Sequence, residues 1–257
     1  MILAIDVGNS NIVLGGYESG KICFTSRISS SRNLEADQWA ITLRNVLQLH
    51  GAQDKPIDGA AISSVVPTLT TLLVQALAHF CDTTPLVFSL PQAEKLGIHV
   101  DIENPPELGN DILAGAVAVR HHFSLPAIVI DMGTATKLTA LNEQGDVLGV
   151  SIAPGLFVSL DALVGNASLL RGVALDSPSP VAIGRNTRQS MQSGMLLGTA
   201  SLLDGLINRF ELEMGPVKTL IATGGAAPVV LPHCLHKIHF SDTLILDGLL
   251  LAYQATR

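Results

Sequence analysis

Two distant segments share one pattern, an apolar run closed by Asp-x-Gly: Ile2-Leu3-Ala4-Ile5-Asp6-Val7-Gly8 and Ala127-Ile128-Val129-Ile130-Asp131-Met132-Gly133. A carboxylate at the end of a buried strand can hold a hydrated divalent metal, and a glycine beside it lets the backbone approach a phosphate. Either turn alone is ordinary hairpin chemistry. Here the two aspartates lie about half the chain apart. Each is followed by neutral donors, Asn9, Ser10 and Asn11 in the first loop, Thr134 and Thr136 in the second. A third segment, Ala222-Thr223-Gly224-Gly225-Ala226 after Leu220-Ile221, reads as a strand entering a Gly-Gly turn. Such a turn admits a flat adenine or ribose and brings a helix N-terminus near an anion. Asp111, in Gly109-Asn110-Asp111 ahead of an apolar stretch, reads by itself as a helix N-cap.

These residues need strands and helices to position them. Residues 1–16 read as a hairpin, 21–28 as a further strand and 36–49 as a helix with apolar residues at helical spacing. Residues 59–67 read as a strand entering a Pro-started helix that continues to about Cys81. Residues 112–122 are Ala-rich and helical, joining the halves. The hairpin pattern then repeats over 127–141 with a strand at 147–152, followed by a helical region over 154–170. A loop over 176–185 leads to a helix over 187–210, and a strand ends in Thr223-Gly224-Gly225. The expected architecture is a duplicated α/β fold with mixed sheets, divided at 1–115 and 116–257, the last residues packing back on the first domain.

Composition narrows the partners. A net charge of −7, with 15 Lys+Arg and 4% aromatic residues, offers neither a basic stripe nor stacking platforms for nucleic acid. A small-molecule substrate is expected. Such a charge repels a polyanion, so any phosphate site must rely on backbone amides, neutral donors and bound cations. The apolar runs are too interrupted to span a membrane, and the first residues lack a leader pattern, so a cytoplasmic location is expected. Cys23, Cys81 and Cys234 lie far apart and read as buried thiols in a reducing compartment. His121, His122, His233, His236 and His239 match no metal-ligand spacing, and Met191 and Met195 read as core packing.

The order Asp-x-Gly, Asp-x-Gly, Gly-Gly is similar to that of the sugar-kinase, heat-shock-protein and actin superfamily. Finer motifs resemble its type III pantothenate kinase branch: Asp6-Val7-Gly8-Asn9-Ser10-Asn11, Ser63-Ser64-Val65-Val66-Pro67, Asn104-Pro105-Pro106-Glu107-Leu108-Gly109-Asn110-Asp111 and Asp131-Met132-Gly133-Thr134-Ala135-Thr136. Ile152-Ala153-Pro154-Gly155-Leu156, Ile183-Gly184-Arg185-Asn186-Thr187, Gln192-Ser193-Gly194 and Thr223-Gly224-Gly225 extend the likeness along nearly the whole chain.

The resemblance implies duplicated actin-like (ribonuclease H-like) domains with ATP in a cleft between them. It also implies ATP-dependent phosphorylation of pantothenate, the first step of coenzyme A biosynthesis, with Mg2+ and potassium or ammonium. By it, Asp6, Val7, Gly8, Asn9, Ser10, Asn11, Ile12 and Val13 form the first ATP-phosphate loop, with Asp6 also at Mg-ATP, and Gly133 and Thr134 form the second. Asp131 holds the monovalent cation, and Asp111 is the general base. Ile102, Gly109, Asn110, Asp111, Ile112 and Thr187 line the pantothenate pocket, which a partner subunit completes in a homodimer. Three positions depart from the family pattern: Ile112 stands where Arg is usual, Ile102 where Tyr is common and Lys137 where Thr is usual. A guanidinium suits a substrate carboxylate and Ile does not; Lys137, Arg171 and Arg185 are the candidate replacements. Ile112 would also suit an accessory paralogue of the Bvg accessory factor group, or a same-fold kinase of an alcohol lacking a carboxylate.

Overall fold

The computed structural model describes residues 1–167, 170, 172–175 and 180–256. The chain opens with three antiparallel strands, β1 (Ile2–Val7), β2 (Asn11–Glu18) and β3 (Lys21–Ser29), and the helix α1 (Ala36–Leu49). In α1, Trp39, Ala40, Leu43, Val46 and Leu47 are buried, the stripe that helical spacing dictates. Strand β4 (Gly59–Ser64) runs into α2 (Pro67–Leu77), whose Pro67 starts the helix where a missing N–H costs nothing. Strand β5 (Leu86–Val87), α3 (Leu90–Lys95) and α4 (Asn110–His122) follow.

The second half repeats the scheme. Strands β6 (Ala127–Met132), β7 (Ala135–Leu141) and β8 (Val147–Pro154) lead to α5 (Leu156–Asn166). The long helix expected over 187–210 is present and runs on to Met214, with a π-turn at Ser193–Leu197 dividing it into α6 (Thr187–Gln192) and α7 (Gly198–Met214). After β9 (Thr219–Thr223) come the short helix α8 (Ala227–Val230), strand β10 (His239–Phe240) and helix α9 (Leu244–Ala255).

The sheet orders are β3-β2-β1-β4-β5 and β8-β7-β6-β9-β10. In each, three meandering antiparallel strands are joined through their first member to two parallel strands. Strand β6 therefore occupies in the second sheet the place of β1 in the first, and each ends in its Asp-x-Gly turn. Two mixed sheets of identical order are the duplication that the repeated turn foreshadowed.

The chain divides into two compact units, 1–122 with 243–257, and 123–242. The expected boundary at 115/116 would cut α4, whose residues Leu113–Val119 are buried without a break; a continuous helix with one packed stretch stays in one unit. Helix α9, unforeseen as an element, belongs to the first unit. It lies so close to α4 that a Cβ on Gly248 would overlap the Ala114 carbonyl. Tyr253 donates from its hydroxyl to the Asp58 carbonyl at 3.0 Å, and Tyr17 donates to Asp247 Oδ1 at 2.6 Å. Cys81 is buried as expected, but Cys23 on β3 is exposed, because that edge strand turns alternate residues to solvent. Burial, with Asp204 nearby, pushes the Cys234 thiol up to about 12, which makes it unreactive.

Candidate active site

In the first unit the Asp6 loop is closed by its own backbone. Gly8 N donates to Asn11 O at 3.0 Å, and the next segment braces it: Ser30 N donates to Ser10 O at 3.0 Å and Ser30 Oγ to Gly8 O at 2.6 Å. Asn9 and Ser10 are thereby exposed at the tip, while Ile12 is fully buried and anchors the return strand. On the other side Val65 N donates to Val7 O at 3.1 Å, fixing the start of the α2 segment against the loop. Strand β1 pairs in parallel register with β4, so Asp6 stands beside Ser63 on the same face. Ser63 is fully buried, and its Oγ has no hydrogen-bond partner among the described residues. A buried orphan hydroxyl is rare in a folded protein. Next to a strand-end carboxylate it fits an oxygen-seeking hydrated divalent ion, which takes one or two carboxylates and draws its other ligands from water and phosphate.

Asp111 comes to this same edge. The Asn110 side chain donates from Nδ2 to the Ser64 carbonyl at 3.2 Å, tying the start of α4 to the end of β4. Asp111 is the second residue of α4, inside the helix and not at its cap, and its Oδ1 accepts from Ile112 N at 2.8 Å. A Cβ on Gly109 would overlap Asp111 Oδ1, so a larger residue there would displace the Asp111 carboxylate from its present position. The structure thus brings Asp6, Asn110 and Asp111 to one end of one sheet. Ile112 is half-buried beside them, and Ile102 is half-buried in the bend before the Pro105–Glu107 turn. Neither brings a charge.

In the second unit the Asp131 loop is tighter: Gly133 N donates to Ala135 O at 3.0 Å. Two glycines press on it. Gly155, at the start of α5, donates from its N–H to Thr134 O at 3.0 Å, and a Cβ there would overlap the Gly133 and Thr134 carbonyls. Gly224, at φ +94°, lies against the Met132 backbone, and Ala226 N donates to Met132 O at 3.1 Å. The Gly-Gly turn and the α5 N-terminus therefore both close on the second loop, an arrangement only glycine permits. The helix after the Gly-Gly turn, α8, is only four residues long. Thr187 is exposed as the first residue of α6, capped by Asn186, whose Oδ1 accepts from Gln189 N at 2.9 Å.

Lys137 is not where a substrate ligand would wait. The β6–β7 register sets it across from Asp131, and its Nζ lies 2.7 Å from Asp131 Oδ2. Arg171 lies outside the described residues, so Arg185, exposed beside Thr187, is the described candidate for a substrate carboxylate. The His cluster has a structural use: Asp204 accepts from Leu235 N, His236 N and the His236 ring, at 2.8, 3.1 and 2.7 Å. Burial alone raises the Asp204 carboxyl, but these partners outweigh it and hold it below the ordinary carboxylate value. Among the described residues no three His, Cys, Asp or Glu side chains gather as a metal cage.

The family model described as type III pantothenate kinase matches residues 2–209. A type III pantothenate kinase of Moorella thermoacetica is 39% identical over 256 residues, covering 99% of both chains. The chain belongs to the type III pantothenate kinase family. A second member, from Thermomicrobium roseum, is 37% identical over 254 residues, covering 99% of this chain and 97% of its own. Among solved structures, a glucokinase of the ROK family from Streptomyces griseus, in complex with glucose and AMPPNP, aligns with TM-score 0.55 at 12% identity over 98% of this chain and 99% of its own. A Campylobacter jejuni protein described as a Baf family transcriptional activator aligns with TM-score 0.61 at 17% identity over 99% and 98%. At such identities these two show the fold alone: the expected duplicated actin-like α/β architecture is the observed one. As a type III pantothenate kinase the chain is an ATP-using phosphotransferase, and the accessory-factor alternative is not favoured. Three features of the site went unread in the sequence: the orphan Ser63 hydroxyl, the brace at Gly155 and the Lys137–Asp131 pair. Only the last had a local signal, since residues flanking a short hairpin turn pair across it.

Proposed function

We propose that this chain transfers the γ-phosphoryl group of ATP to the primary hydroxyl of pantothenate, giving 4'-phosphopantothenate and ADP. The observation that carries this reading is the likeness to type III pantothenate kinases along the full chain, with Asp6, Asp111 and Asp131 all present in its motifs. The Asp6–Val13 and Gly133–Thr134 loops would hold the phosphates through backbone N–H groups and the neutral side chains of Asn9, Ser10, Asn11 and Thr134. Asp6, with the buried Ser63 hydroxyl beside it, would hold a hydrated Mg2+, which when bound supplies charge compensation. The Asp111 carboxylate takes the hydroxyl proton as the new O–P bond forms; the bond from the γ-phosphorus to its bridging oxygen breaks, and ADP leaves with that oxygen. Asp131 reduces to a seat for one positive charge at the second loop.

Gly109, Asn110, Ile112, Ile102 and Thr187 would line the pantothenate site, with Arg185 supplying the cation that Ile112 cannot. The protein would act in the cytoplasm as a homodimer. A monomer by light scattering at micromolar concentration contradicts the homodimer.

ADP release is to be measured with pantothenate and with small alcohols lacking a carboxylate. Turnover on pantothenate is expected. Asp111→Asn should lower kcat by roughly 10²- to 10⁴-fold, the range for a general base, and leave the KM for ATP nearly unchanged. Full activity of Asp111→Asn sinks the proposed role of Asp111, and turnover only on the other alcohols sinks the choice of substrate.

A further inference from the structure

The duplicated sheets allow the two strand-end carboxylates to be compared under equal conditions. Asp6 and Asp131 occupy equivalent ends of β1 and β6, and each faces one residue across an antiparallel pair. For Asp6 that residue is Val13; for Asp131 it is Lys137. The fold therefore accepts an apolar residue at this place, and the ammonium in the second copy is not required to build the hairpin. The contact is close, 2.7 Å from Nζ to Oδ2, the length of a charge-assisted hydrogen bond. It is also sheltered, with the Lys137 side chain 15% and the Asp131 side chain 20% exposed. Shelter matters, because an exposed pair would be screened and its lysine mobile.

The family pattern implies a potassium or ammonium ion on Asp131. The residues here do not fit a mobile cation at that place. A lysine ε-ammonium is itself a substituted ammonium ion, a compact single charge with three donors, and it already lies on the carboxylate that the ion would use. A second monovalent cation would face a neutralised carboxylate and a like charge alongside. A tethered charge also needs no binding from solution, since the local chain holds it at high effective concentration.

We propose that Lys137 is a built-in monovalent cation: its ammonium takes the place of potassium or ammonium at Asp131, so that phosphoryl transfer by this chain needs no added monovalent ion. The proposal rests on the pantothenate-kinase reading for its activity test, and it assigns Lys137 the role of charge at the second phosphate loop.

The test is ADP release by the full chain with pantothenate and Mg-ATP, in KCl, NH4Cl, LiCl or choline chloride at matched ionic strength. The wild type should vary less than about twofold among the salts. Lys137→Thr, which installs the residue usual in the family, should lose roughly tenfold or more in choline chloride and LiCl and recover in KCl or NH4Cl. A second readout needs no turnover: with AMPPNP bound, the melting temperature of Lys137→Thr should rise in KCl over choline chloride, and that of the wild type should not. Lys137→Gln serves if the threonine variant does not fold. Wild-type activation of roughly tenfold by KCl, or a salt-independent Lys137→Thr as active as the wild type, overturns the proposal. Absence of turnover in every salt sinks the kinase reading instead, and the melting comparison then decides the role of Lys137, with a potassium-specific rise in the wild type counting against it.

Discussion

Replacing Gly155 by alanine adds one methyl group at the point where α5 meets the Gly133–Thr134 loop, the proposed second phosphate loop. The backbone at Gly155 has φ −69° and ψ 158°, which any residue adopts, so only space is at stake. The added carbon would lie 2.5 Å from Thr134 O and nearer still to Gly133 O, whereas ordinary contact begins at 3.4 Å. Both obstacles are backbone carbonyls and neither can swing aside, so the loop must retreat by about 1 Å from α5, straining the Gly155 N to Thr134 O hydrogen bond. A shift of about 1 Å in groups that align a reacting phosphate can lower rates by roughly 10²-fold. Overpacking of this kind also costs about 1–3 kcal/mol of stability. Steady-state kinetics with varied ATP should thus show kcat/KM falling by roughly ten- to a hundredfold, a barrier increase of about 1.4–2.7 kcal/mol, with far-ultraviolet circular dichroism unchanged. Gly165→Ala is the matched control: it lies in the same helix with nothing within 4 Å of the added carbon, and should leave kinetics unaltered. If Gly155→Ala matches the wild type within about twofold in kcat/KM for ATP, the second loop does not hold phosphate.

Two further outcomes follow from single contacts. Asp204 is held below its ordinary carboxyl value in the folded chain, so the stability it contributes is present above the unfolded value, about 3.9, and is lost as pH falls through the folded one. The melting-temperature gap between wild type and Asp204→Asn should therefore be widest near neutral pH and shrink on acidification below about pH 4; a gap independent of pH refutes the assignment. Arg185→Ala should raise the KM for pantothenate by roughly ten- to a hundredfold, the loss of one charge-assisted hydrogen bond, with little change for ATP; an unchanged KM for pantothenate would leave the carboxylate to another group.

Much of the fold was legible because its signals are local. The buried runs at Ile2–Val7 and Ala127–Met132, the apolar stripe of α1 and the proline that starts α2 all lie within a single element. The domain boundary was not legible, since α4 continues to His122 for reasons set by packing. Val117, Ala118 and Val119 are buried in the first unit, and α9 lies against the same helix from more than a hundred residues away. Helix α9 itself is apolar nearly all round, as buried helices are, so it carries little amphipathic signal. The π-turn between α6 and α7 escaped too, because it adds a residue to one turn of an otherwise continuous helix, and single glycines such as Gly194 and Gly198 do not by themselves announce it.

The site divides along the same line. Residue types announced the carboxylates, but what each carboxylate does depends on its neighbour across the strand, and register decides that neighbour. Counting outward from the turn, Asp131 meets Lys137 in a hairpin one residue tighter than the one in which Asp6 meets Val13. One added residue between the first aspartate and its partner, and a valine in place of a lysine, separate a carboxylate suited to a hydrated divalent ion from one already holding an organic cation. A duplicated scaffold supplies two equal strand ends, and the proposed division of labour lies at the facing position, so the sequence by itself marks Lys137 only as a departure from the family pattern. It acquires meaning only when set beside Val13 in the other copy.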